Sequence, residues 1–265
     1  METSLLKILF IGDVVGRAGR QALSSRLHRL VDEHRVDLVV ANGENAAAGF
    51  GLTANIVTEL LDLGIDVITS GNHIWDKREI CDHLDRQERL LRPANYPPGL
   101  PGRGAGIFST SAGLQVGVVN LEGRVFMSNL DCPFRAAEQL IEEMRRRTPI
   151  ILVDFHAEAT SEKMALGCYL DGRVSAVVGT HTHVQTADER ILPGGTAYIT
   201  DAGMTGSRDA VIGIRKELAI EKFLTQRPVR FEVAKKDPWL CGVLIEVDEK
   251  TGRALKVERI QQATD

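Results

Sequence analysis

One recurrence constrains this 265-residue chain more than any other: short apolar runs that each stop at a cluster of polar, metal-capable side chains. Lys7 to Ile11 ends in Gly12-Asp13, and Asp37 to Ala41 in Asn42-Gly43-Glu44-Asn45. Asp66 to Thr69 leads to Gly71-Asn72-His73. Pro149 to Val153 runs into Asp154-Phe155-His156-Ala157-Glu158, and Val174 to Val178 into Gly179-Thr180-His181-Thr182-His183. Runs this short and apolar read as buried strands. Open α/β sheets place ligands beyond the carboxyl ends of their strands, so these tips are expected to converge. In extended backbone His181 and His183 would project the same way, because residues i and i+2 share a face. A lone His-x-His pair carries little meaning. In the company of Asp13, Glu44, Asn45, Asn72 and His156 it reads as a metal site.

Helical spacing fills the gaps between the runs. Leu23, Leu27, Leu30 and Val31 form one stripe, and Ile56, Val57, Leu60 and Leu61 another behind Thr53 as N-cap. Further helices are predicted at about 76–84, 134–147 and 216–224, and from a capping Thr160 to about 170. Hairpins are predicted for Ala105–Ser109 with Leu114–Leu121, Ile191 with Thr196–Thr200, and Cys241–Val247 with Ala254–Ile260. The Pro- and Gly-rich stretch 91–106 and residues 201–213 read as loops. Alternating strands and helices, with antiparallel hairpins added, predict an α/β fold of two packed mixed sheets flanked by helices. No repeat or boundary divides it, so residues 1–265 read as a single domain.

Thirty-two basic against 36 acidic side chains leave a net charge of −4, which argues against a long nucleic acid as partner. It does not argue against a nucleotide, since bound cations reverse the local field. Four cysteines form no C-x-x-C pair. Met1 to Ser4 carry an acid where a secretory signal would be basic, and no apolar run is long enough for a membrane. A soluble cytoplasmic protein with free thiols is expected.

Seven donors, Asp13, Glu44, Asn45, Asn72, His156, His181 and His183, exceed what one tetrahedral ion takes. Imidazole and carboxylate together suit divalent transition metals, zinc included. The number suits two ions about 3.5–4 Å apart, bridged by a carboxylate and a water-derived hydroxide able to attack phosphorus in line. His73, next to Asn72, should diverge from the ions and is read as the general acid. The alternative is a further ligand or a loop residue. Asp154 and Glu158 flank His156 and either orient its ring or are solvated. Asp201 is a weaker candidate ligand. Gly12, Gly16 and Gly19 lack the close first pair of a dinucleotide fingerprint, and no P-loop or nucleophile elbow is present.

These blocks resemble those of the calcineurin-like metallophosphoesterases. Phe10 to Gly16, Asn42 to Asn45, Asp154 to Thr160 and Gly179 to Val184 resemble, more closely, the YmdB family of bacterial phosphodiesterases, over nearly the whole chain. The broader superfamily has a His where Val15 stands and a bridging Asp where Glu44 stands. The resemblance implies that Asn45 replaces the missing His. It further implies that Asp13, Glu44, Asn45 and His183 hold one ion, that Glu44, Asn72, His156 and His181 hold the other, and that His73 donates the proton. The metals implied are iron or manganese. The substrates implied are 2′,3′-cyclic nucleotides opened at the 2′ ester, and the assembly implied is a homo-oligomer. A phosphomonoesterase or nuclease on the same scaffold, or a regulatory metal- or nucleotide-binding protein, are the alternatives. Base preference is expected to lie in the loops 91–106, 123–133 and 203–213.

Overall fold

In the computed structural model, which describes residues 5–264, the apolar runs are strands of two sheets packed face to face. The first sheet contains β1 (Leu5–Ile11), β2 (Asp13–Val14), β3 (Leu38–Asn42), β4 (Val67–Thr69), β11 (Met204–Ser207), β12 (Pro238–Asp248) and β13 (Ala254–Ala263). β1, β3 and β4 are parallel neighbours, and β12 runs antiparallel between β1 and β13. The second sheet is ordered β5 (Ala105–Ser109), β6 (Gln115–Glu122), β7 (Ile151–His156), β8 (Ala176–Thr180), β10 (Ala197–Ile199), β9 (Arg190–Ile191). Its middle four strands are parallel and its two edges antiparallel.

Side-chain alternation explains the layering. Leu6, Ile8 and Phe10 of β1 enter the layer between the sheets and meet Val116, Val118, Leu152, Val178 and Ile199. Leu9 and Ile11, one residue out of phase, pack outward with Leu23, Leu27 and Leu30 of α1 (Gly16–His34) and Val57 and Leu60 of α2 (Ala54–Asp62). On the far side Val119, Leu121, Val153 and Phe155 meet Ile141 of α4 (Pro133–Met144) and Leu166 and Leu170 of α5 (Thr160–Leu170). Each such side chain contributes roughly 1.5–3 kcal/mol on burial.

The three hairpins form as predicted, and Thr53 caps α2 by accepting the Ile56 N–H. Several boundaries differ. The helix expected from Asp76 shrinks to α3 (Ile80–Leu84), because the backbone before it closes successive i to i+3 turns, with Asp76 N–H donating to His73 O and Ile80 N–H to Lys77 O. Thr160 is the first residue of α5 rather than its cap. The loop 201–213 contains β11, which pairs with Asp13 and Val14. The last helix, α6, spans Lys216–Thr225. No helix among the described residues is long and apolar enough to cross a membrane. Met1 to Ser4 lie outside the described residues.

Candidate metal centre

Five parallel strand ends deliver the polar tips to one place. Asp13 is itself in β2, Glu44 and Asn45 follow β3, and Asn72 and His73 follow β4. His156 ends β7, and His181 and His183 follow β8. Asp13, Glu44, Asn45 and His156 are all nearly or fully buried.

His156 Nε2 is the focus. It lies 3.0 Å from Asn72 Oδ1, 3.0 Å from His181 Nδ1 and 3.1 Å from Glu44 Oε1. Glu44, His156 and His181 form a group whose ligand atoms all lie within 4.8 Å of one another. One N–H cannot serve three acceptors at once. Neighbouring polar atoms are left over as well. Asp13 Oδ1 and Asn45 Oδ1 are buried without a hydrogen-bond partner, and Asp13 Oδ1 is 3.9 Å from His183 Nε2. Buried oxygens aimed at nitrogens without hydrogens to share form a donor set that suits cations.

The outer nitrogens support the same account. Thr180 Oγ1 donates to Asp154 at 2.7 Å, so it accepts from His156 Nδ1–H at 3.0 Å. His181 Nε2 meets Glu158 Oε2 at 3.1 Å, and His183 Nδ1 donates to Ile212 O at 2.9 Å. Each ring commits one nitrogen to an acceptor and turns the other, as a lone pair, toward the centre. Metal-binding histidines are held in this way. Asp154 therefore acts on His156 through Thr180. Glu158, expected beside His156, holds His181 instead.

The His-x-His geometry departs from expectation. β8 stops at Thr180, and His181 and His183 have φ of 99° and 66°. Their rings approach the centre from a left-handed turn rather than from extended backbone. Asp201 is no ligand candidate either. Its carboxylate is 2.7 Å from the buried Lys163 ammonium and accepts from Thr182.

Burial disfavours charge on every group here, and the groups answer through one another. His156 is nevertheless pushed up to about 9 by Glu44, Asp13 and Asp154. Burial would raise Glu44, but His156 and His73 pull it down to about 2. Burial, then the charge on His156, drives His181 down to about 3. Burial holds Asp13 above the ordinary carboxylate range. With no cation present the surrounding carboxylates keep a second proton on His156, and a cation at the centre would take that proton's place and free the inner lone pair.

A cavity of about 310 Å³ lies over the centre. Glu44, Asn45, His181 and His183 face it, His73 stands at its side, and Phe50, Ile212, Ile214 and Phe231 form apolar walls. Of the three loops expected to shape it, only 203–213 contributes, through Ile212. His73 Nδ1 is 2.8 Å from Asp76 Oδ2, its backbone N–H donates to Glu44 Oε2, and its ring meets the edge of Phe50.

Residues 9–260 match the profile of the family described as YmdB-like protein. The chain belongs to the YmdB-like family. The 2′,3′-cyclic-nucleotide 2′-phosphodiesterase of Bacillus subtilis (strain 168) is 53% identical over 255 residues, 96% of each chain. A crystal structure of a hypothetical protein from Thermus thermophilus superposes with a TM-score of 0.92 at 44% identity, over 98% of this chain and all of that one. A crystal structure of a novel phosphatase from Mycoplasma pneumoniae gives 0.93 at 36% identity, over all of this chain and 95% of that one.

This YmdB-like centre also contains a residue that strand patterning does not single out. Glu122 ends β6 opposite His156 in the register, fully buried, with the Tyr96 hydroxyl as its neighbouring donor. Burial first, then the charge on Glu44, raises it to about 7 despite the opposing pull of His156 and the Tyr96 hydrogen bond. Its folded value lies above its ordinary 4.5, so the unfolded chain releases the proton first. The group therefore costs stability as pH rises from about 4.5 to 7, roughly 3 kcal/mol in full. Glu122→Gln is expected to stabilise the metal-free protein by about 2–3 kcal/mol at pH 8 and far less at pH 5, read by chemical denaturation. An equal change at both pH values would refute this.

Proposed function

We propose that this chain is a metal-dependent phosphoric diester hydrolase that opens 2′,3′-cyclic nucleotides at the 2′ ester to give 3′-nucleotides. The observation that carries the reading is the set of three imidazoles whose outer nitrogens are anchored while their inner nitrogens face Glu44, Asn72, Asp13 and one another, with Asp13 Oδ1 and Asn45 Oδ1 buried and partnerless beside them. The name of the 53% identical B. subtilis relative supports the substrate. Asp13, Glu44, Asn45 and His183 would hold one divalent ion, and Glu44, Asn72, His156 and His181 a second. Iron or manganese suits this mixed nitrogen–oxygen set, and zinc is also compatible. When bound, such a pair supplies positive charge to the phosphate and acidifies water.

The chain's own residues do the rest. Phe50, Phe231, Ile212 and Ile214 exclude water and seat the sugar and base by contact, in a space of mononucleotide size. Asp76 accepts from His73 Nδ1–H and steadies the imidazolium. The opposite Nε2–H then delivers the proton to the departing 2′ oxygen. The reading includes a cytoplasmic location and a homo-oligomer.

The test is hydrolysis of 2′,3′-cyclic AMP with bound ions counted in the same preparation. His73→Ala is expected to lower kcat about 10²–10⁴-fold while the ion content stays that of the wild type. Loss of an ion in that variant would make His73 a ligand and remove the acid role. Absence of turnover in the metal-loaded wild type would sink the substrate assignment.

A further inference from the structure

We propose that Asp201, held by the buried ammonium of Lys163, is a positioning residue that fixes both metal-facing histidines at once by gripping Thr182 between them. The inference rests on the metallohydrolase reading above and adds a part that the ligand set does not contain.

Two residues in left-handed backbone flank Thr182, at φ of 99° and 66°. Neither is glycine or asparagine, so each is strained and persists only when the surroundings impose it. The Asp201 carboxylate imposes it. Oδ2 accepts the Thr182 N–H at 3.1 Å and the Thr182 hydroxyl at 2.7 Å, while Oδ1 accepts the Gly203 N–H at 2.8 Å. On the other side Lys163 Nζ lies 2.7 Å from the same Oδ2. Lys163 and Asp201 are 1% and 0% exposed. They come from the first turn of α5 and the end of β10, so three elements are tied at one oxygen.

A buried ion pair seldom stabilises a fold more than apolar side chains of equal volume would, and its better attested use is to specify one arrangement. That use fits here. A free Lys163 cation would repel metal ions beside it, and a free Asp201 would compete for them. Paired, they cancel, and the remaining capacity of Asp201 goes to the turn. The rings of His181 and His183 then meet their outer acceptors, Glu158 and Ile212 O, with inner nitrogens already aimed.

Thr182→Val and Thr182→Ser separate positioning from simple support, because valine keeps the shape and the backbone N–H but lacks the hydroxyl. Asp201 keeps its Lys163, Gly203 and backbone partners in both. The readouts are Mn²⁺ affinity by calorimetry, the thermal midpoint of the metal-free protein, and kcat with KM for 2′,3′-cyclic AMP. Thr182→Val is expected to weaken Mn²⁺ binding about 10–100-fold. It should lower kcat more than it changes KM and lower the metal-free midpoint by only the few degrees that one lost hydrogen bond costs, while Thr182→Ser restores all three. Mn²⁺ affinity within twofold of wild type in Thr182→Val, or a loss that serine does not restore, would overturn the proposal and leave the metal reading standing. A wild-type protein that binds no Mn²⁺, Fe²⁺ or Zn²⁺ would overturn both.

Discussion

Glu44→Gln is expected to remove at least one ion per chain and to lower kcat/KM for 2′,3′-cyclic AMP by about 10⁴-fold or more. Glu44 is the one carboxylate proposed to serve both cations. Its Oε1 lies 3.1 Å from His156 Nε2, and its Oε2 accepts the His73 backbone N–H at 3.2 Å. Glutamine has the same shape, so packing is preserved. It removes a full charge from a place 1% exposed and turns an N–H₂ group toward either the centre or the His73 N–H. Either orientation sets donor against donor or donor against cation. Elemental analysis of the purified variant and a steady-state assay decide the matter. Two ions with near wild-type turnover would show that Glu44 bridges nothing.

Gly71→Ala is expected to be nearly as damaging, with no change of charge at all. A methyl group built there would lie 2.2 Å from His156 Cδ2, 2.3 Å from His156 Nε2 and 2.5 Å from Glu44 Oε2. The backbone of Gly71 is not left-handed, so alanine is conformationally acceptable, and the whole effect is lost space. Neither neighbour has room to retreat, since His156 and Glu44 are buried. Overpacking of this kind costs about 1–3 kcal/mol of stability. The larger consequence is a displaced imidazole, with metal affinity and kcat/KM falling about 10³-fold or more. Gly99→Ala is the contrasting control. Its φ of 85° strains any side chain, but nothing lies within 4 Å, so activity should persist while stability drops slightly. If Gly71→Ala retains wild-type metal content and turnover, the tight contact between Gly71 and the imidazole is not what holds the centre together.

Much of this arrangement is written into the apolar runs. The phase of Leu6, Ile8 and Phe10 against Leu9 and Ile11 already implies two faces covered by different layers. The position of Asp13, Glu44, Asn72 and His156 just past such runs implies convergence. What the runs do not reveal depends on rotation about single bonds and on chance proximity in space. The left-handed turn at His181 and His183 carries no glycine to announce it. Which nitrogen of His156 faces inward depends on Thr180, an ordinary strand residue until Asp154 takes its hydroxyl proton. Asp201 resembles a ligand in one dimension. Only the arrival of Lys163 from a helix 38 positions earlier in the chain shows otherwise. β11 is four residues long and has no alternation to detect, yet it is the strand that pairs with Asp13.

The partnership of β1 with β12 ties the start of the chain to residues 238–248. During synthesis, Asp13 emerges some two hundred residues before the two late strands, β11 and β12, that frame it. At ribosomal rates of about 5–20 residues per second, that interval is at least roughly ten seconds. Through that time Leu9 and Ile11 wait beside α1 without their antiparallel neighbour. A nascent chain can therefore gather helices and the early parallel strands, but the strands that frame Asp13 are complete only when translation is almost finished.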